Sequence, residues 1–223
     1  MIIKRKNTVV AIVVAALLWF WMFSPWTGGI VNFWLMMSCS AVILTTLALC
    51  FSKDFKSLLK GSEGPLMPAL PLPLLIGAAL AFVLWGVFWT GDKISSWMFD
   101  FARPEVNAVY SLKDGSSQGL LVILLLFLVG PAEELFWRGF VQRSISGHFL
   151  SSGRRFAADK AFLVTTMIYT AIHIWSFNFM LVMAALVAGC VWGFIYRLRP
   201  QLLPALVVSH ALWDALVFVI LPI

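Results

Sequence analysis

The chain has 223 residues, of which 61% are hydrophobic and 12% charged, and its mean hydropathy is +0.95. Soluble domains carry about 25% charged residues, so this composition excludes a water-soluble globular protein and makes the lipid bilayer the partner of its surface. The net charge of +6 is gathered in short segments between apolar runs; that is the topology signal of a membrane protein, not the basic patch of a nucleic-acid binder.

The elements follow in chain order. Lys4, Arg5 and Lys6 form a basic head. The run Thr8–Trp26 has the ~20 residues that one bilayer crossing needs, and without a small-residue cleavage site it reads as a retained first helix rather than a signal peptide. Further spans are expected at about Ile30–Phe51, Pro71–Thr90, Gly119–Phe140, Ala161–Phe177, Asn178–Tyr196 and Leu203–Leu221. The fold class is thus all-α, a polytopic helix bundle of about seven crossings. Residues 1–117 form an N-terminal set of helices with an outer segment, and 118–223 a C-terminal bundle, in one integral membrane unit.

Charge gives the expected orientation. With the N-terminus cytoplasmic, the loops holding Lys53, Lys56 and Lys60, then Arg143, Arg154, Arg155 and Lys160, then Arg197 and Arg199, all fall inside. The outer loop carries Lys93, Arg103 and Lys113, and its segment Ile94–Tyr110 reads as an amphipathic piece at the interface. Trp19, Trp21 and Trp26 read as lipid-interface anchors, and His148 as solvated in a basic loop. Cys39, Cys50 and Cys190 sit in apolar runs without metal-ligand or disulfide spacing.

Two adjacent carboxylates, Glu133 and Glu134, interrupt the fourth span. Each costs on the order of 2.5–3.5 kcal/mol to insert, so something must answer their charge. Glu134 and Arg138 are four apart and face one way on a helix, so they can pair. Glu133 is rotated by ~100° and is expected to face a cavity. Pro131 removes a backbone donor and should kink the helix just before the pair. His173, with Tyr169 four residues back, and the pair His210 and Asp214 bring imidazoles and a further carboxylate from two later spans. Helical rise puts the glutamates, His173 and His210 at a common depth, on the order of 10–18 Å below the cytoplasmic surface, with a cavity opening to that side. His210 and Asp214 can act as an oriented imidazole or as two metal ligands.

Glu-Glu-Leu-Phe-Trp-Arg (133–138), Tyr169-x3-His173 and His-Ala-Leu-Trp-Asp (210–214), in that order on late helices, resemble the CPBP intramembrane protease family, also called the Abi or CAAX-protease and bacteriocin-processing family. The resemblance covers roughly residues 118–217. It implies an endopeptidase acting on a membrane-associated protein or peptide. Glu133 would activate a water, Glu134 and Arg138 would support it, His173 would hold the water or the oxyanion, and His210 with Asp214 would complete the site. Tyr169 stands where the family usually has Phe, and Asp214 where it often has Asn. Ionised Asp cannot donate to an oxyanion, which shifts its weight towards orienting His210 or towards a metal. The favoured expectation is metal-free; the alternative is Zn²⁺ or another divalent ion on Glu133, His173 and His210. A proton-coupled transporter, which would also bury Glu, His and Asp, and a non-catalytic immunity or scaffold protein are the other readings. The expected location is a bacterial inner membrane.

Overall fold

A computed structural model describes residues 3–52, 71–153 and 155–223, so Lys53, Lys56, Lys60 and Arg154 lie outside the described residues. Every regular element among the described residues is helical. They are α1 (Arg5–Phe23), α2 (Phe33–Ser52), α3 (Leu72–Met98), the short α4 (Ala102–Tyr110), the long α5 (Gln118–Ser151), α6 (Ala157–Ile172), α7 (Phe179–Leu198) and α8 (Leu203–Ala215, continued by a π turn over Leu216–Ile220). Among the described residues, six of these helices are long and apolar enough to cross a membrane. The expected fifth span is shorter: α6 ends at Ile172 after 16 residues and passes into a 3₁₀ turn at His173–Ser176. The protein is an integral membrane helix bundle.

α5 is the central post. Its 34 residues reach ~50 Å at ~1.5 Å per residue, well beyond the expected end at Phe140. It stays continuous by changing its winding: Leu125–Val129 and Leu135–Gln142 are π-helical and flank the α-helical turn Gly130–Glu134. Pro131 supplies the local cause. It has no N–H, and its ring crowds the carbonyl four residues back, so the Gly130 N–H reaches back five residues to the Leu125 carbonyl. The expected disturbance at Pro131 therefore takes the form of π turns, which often mark functional sites. Arg143 and His148, expected in a loop, lie instead on the last turns of α5, and His148 is half-buried.

Small residues let the helices approach. A Cβ added to Gly130 would stand 2.6 Å from the Ala211 Cα, and one added to Gly77 would stand 2.6 Å from the Ala205 carbonyl oxygen. Close approach of this kind is how membrane helices gain packing where lipid offers no hydrophobic drive. It brings α5 against α8, one residue from His210. Three apolar cores pack along α5. One joins Ala11, Ala15, Trp19, Leu44, Phe136 and Trp137 from α1, α2 and α5. Another joins Leu84, Leu135, Ala188, Trp192, Leu203 and Leu206 from α3, α5, α7 and α8. The third joins Trp34 of α2 to Leu121, Leu125 and Val129 of α5.

The two ends of the bundle differ in charge. Lys4, Arg5, Lys6, Arg143, Arg155, Lys160, Arg197 and Arg199 lie where α1 begins, α5 ends, α6 begins and α7 ends. That end is joined by a Thr8–Ser144 hydroxyl hydrogen bond of 2.5 Å and an Arg197–Asp159 ion pair. The opposite end carries Lys93, Arg103 and Lys113. There Arg103 pairs with Asp92, tying α4 to α3, and Glu105 accepts the Met180 N–H at 2.8 Å, tying α4 to α7. Asn178 caps α7 by accepting the Leu181 N–H at 2.8 Å, which fixes the expected tight turn at 177–178. Trp97, Phe99 and Phe101 are exposed at this end, as suits residues at a lipid–water interface.

Candidate active site

The adjacent glutamates have different environments. Glu134 is fully buried. Its Oε1 accepts from Arg138 at 2.7 Å and from His210 Nδ1 at 2.9 Å. Arg138 is buried as well, with its guanidinium 5.1 Å from the Tyr169 ring centroid and 5.6 Å from that of Trp192. Burial makes each member depend on the other, because removing one partner of such a pair leaves an uncompensated charge. Glu133, one residue earlier, is rotated away. Its Oε2 accepts from the Tyr169 hydroxyl at 3.1 Å, and its side chain lines a cavity of about 480 Å³.

The same cavity touches Tyr169, His173, His210 and Asp214. α5, α6 and α8 therefore deliver the acid and base groups of the three motifs to one space. His210 is held on two sides. Trp192 stacks on its ring at 4.0 Å, with 20° between the planes, and donates its indole N–H to Ser209 Oγ at 3.1 Å. Its Nδ1 is fixed by Glu134, and its Nε2 lies 3.5 Å from Asp214 Oδ2. Because an ionised carboxylate only accepts, the Nδ1–Glu134 contact places a proton on Nδ1. Asp214 thus sits beside the imidazole it was expected to orient.

His173 is also fixed on both nitrogens. A backbone carbonyl only accepts, so Nδ1–H donates to the Tyr169 carbonyl at 2.7 Å. Nε2 then accepts the Trp19 indole N–H at 3.1 Å. Trp19 is 1% exposed, which corrects its reading as a lipid anchor; Trp21 and Trp26 are exposed. Thr8, Ala11, Ala15, Trp19 and Met22 are the buried residues of α1, spaced by three or four. The small residues on that stripe were the sequence signal that Trp19 faces inward. Trp192 was also missed: nothing separates it by hydropathy from its neighbours on α7.

These donors do not fit a bound metal as they stand. Both His173 nitrogens and His210 Nδ1 are engaged, and among the described residues no three His, Cys, Asp or Glu side chains converge to hold an ion.

The cavity runs to the end of the bundle away from the basic residues, where Phe23, Trp34, Ser95, Val106, Phe179 and Phe218 line it. This corrects the expected opening at the basic end. That expectation counted depth from Phe140, whereas α5 continues to Ser151 and His173 lies in the turn after α6 at the far end.

Residues 115–216 match the family model described as type II CAAX prenyl endopeptidase Rce1-like. This segment, a little under half of the chain, is similar to that family. It spans α5 to α8 and holds all three motifs, in the CPBP group they resemble, whereas Trp19 lies outside it. No curated protein and no solved structure matches the chain.

Proposed function

We propose that the protein is an intramembrane endopeptidase of the CAAX-protease-like type, in a bacterial inner membrane, hydrolysing a peptide bond of a membrane-associated protein or peptide. The observation that carries this reading is the division between neighbouring carboxylates: Glu134 is locked by Arg138 and His210, while Glu133 faces the cavity with Tyr169 donating to its Oε2. The match of residues 115–216 supports the same reading.

Glu133 acts as the general base. It takes a proton from water as the water oxygen attacks the peptide carbonyl, and returns it to the leaving nitrogen as the C–N bond breaks. His210, held by Glu134 through Nδ1–H and stacked on Trp192, donates from Nε2–H to the developing oxyanion as the imidazolium, whose charge Glu134 and Asp214 balance. Asp214 orients that imidazole. His173 assists through Nε2, where a water O–H replaces the Trp19 N–H during turnover. Tyr169 positions the Glu133 carboxylate. No step needs a metal, in keeping with the engaged imidazole nitrogens.

The test is cleavage by purified protein in detergent of a library of membrane-anchored peptides, with wild type and Glu133→Ala run side by side, each with and without a chelator. Cleavage that is lost in Glu133→Ala and indifferent to chelator is expected. Cleavage that a chelator abolishes and zinc restores would overturn the metal-free mechanism. Cleavage that survives Glu133→Ala would overturn the role of Glu133.

A further inference from the structure

The cavity and the positive charge lie at opposite ends of the bundle. Lys4, Arg5 and Lys6 open α1, Arg143 lies near the end of α5, Arg155 and Lys160 stand at the start of α6, and Arg197 and Arg199 close α7. The cavity is instead lined by the end of α1 at Phe23, the start of α2 at Trp34, the end of α3 at Ser95, α4 at Val106 and the start of α7 at Phe179. At that end the described cations are Lys93, Arg103 and Lys113, with Asp92, Asp100, Glu105 and Asp114 among them, and Arg103 is already paired to Asp92. Lys and Arg within about 15–20 residues of the span ends set orientation, and the richer side stays in the cytoplasm.

We infer that the cavity holding Glu133 faces the non-cytoplasmic side of the membrane, so that its substrates are membrane-anchored polypeptides whose scissile segment lies on that side. The second half of this statement rests on the endopeptidase reading; the first half rests on geometry and charge alone. Two features of the cavity end fit such a substrate. Its walls are apolar and aromatic, as at Phe23, Trp34, Phe179 and Phe218, which suits a hydrophobic segment emerging from the bilayer. Exposed Trp97, Phe99 and Phe101 form a rim at the interface beside it. Glu133 would then be reached from the outer leaflet, while at the basic end α1 is tied to α5 through Thr8 and Ser144.

The experiment is sided thiol labelling. Cys39, Cys50 and Cys190 are replaced by Ala in the full chain. Single cysteines are then placed at Ser117 before α5, at Ser95 or Val106 in the cavity wall, and at Ser152 at the basic end. A membrane-impermeant maleimide is applied to right-side-out and to inside-out vesicles of the bacterial membrane. Ser117→Cys and the cavity-wall cysteine are expected to label in right-side-out vesicles and to lose that labelling in inside-out ones, with Ser152→Cys showing the reverse. The opposite pattern would overturn the inference. If one wall variant fails to fold, the other and Ser117→Cys still report the sidedness. This readout does not depend on turnover, so a reversed pattern would leave the endopeptidase reading standing. Loss of the endopeptidase reading would show in the Glu133→Ala assay and not in the labelling.

Discussion

α1 and α5 are both apolar enough to cross a membrane, yet they do different work. Half of the apolar window of α5 is buried inside the bundle, against little more than a quarter of that of α1. α5 buries Glu133, Glu134, Arg138 and Gln142 beside its aromatic residues, while α1 turns Val9, Val13, Leu17 and Trp21 outward. Hydropathy does not separate a core helix from a lipid-facing one, because lipid tails and a protein interior are equally apolar solvents. Polar residues do, since each must find a partner inside. α1 adds two inward hydrogen bonds, Thr8 with Ser144 on α5 and the Trp19 N–H on His173.

The contrast breaks most visibly at Arg138. Arg138→Ala leaves Glu134 buried against a single donor and is expected to cost about 3–5 kcal/mol, read as a collapse of folded yield or of thermal stability in detergent. Adding Glu134→Ala to Arg138→Ala should recover part of that loss, because the stranded charge is gone. Next in size is Gly130→Ala. Its new Cβ meets the Ala211 backbone at 2.6 Å, so α5 and α8 must separate, at a cost of about 1–3 kcal/mol and with the Glu134–His210 contact loosened. A variant as stable as wild type would show that this crossing has slack.

Trp19→Phe probes the link from α1 to His173. It removes the donor to a buried ring nitrogen and some volume, and about 1–2 kcal/mol of stability should go with it. The sharper readout is the ¹⁵N shift of His173 Nε2, which should change while that of His210 stays fixed. Trp21→Phe, two residues on and exposed, should stay within about 0.5 kcal/mol of wild type. An equal effect at both positions would erase the distinction between the inner and outer faces of α1.

Much of the site was legible in the sequence because polar residues are rare in this chain. The spacing of Glu134 and Arg138 foretold their contact, and the offset of Glu133 foretold its separate facing. The depth of His173 and His210 gave the convergence of three helices. What the sequence concealed has specific causes. α5 runs past Phe140 to Ser151, so depths counted from a standard span placed the cavity at the wrong end. Trp19 and Trp192 act through single N–H groups and ring faces, and hydropathy gives them the same value as a tryptophan in lipid. The helix of α6 ends earlier than the apolar run suggested, because Ile174 and Trp175 continue the hydropathy into a 3₁₀ turn.

The most direct test compares the two neighbouring carboxylates under the same isosteric change: cleavage per folded molecule for Glu133→Gln and Glu134→Gln, with folded fraction measured on the same samples. General-base catalysis is worth about 10²–10⁴ in rate. Glu133→Gln should therefore fold as wild type and lose cleavage by at least about 100-fold, while Glu134→Gln should lose folded protein because Arg138 is left without its counter-ion. Full cleavage by folded Glu133→Gln, or a well-folded Glu134→Gln that alone is inactive, would contradict the assignment of Glu133 as the base and Glu134 as its buried support.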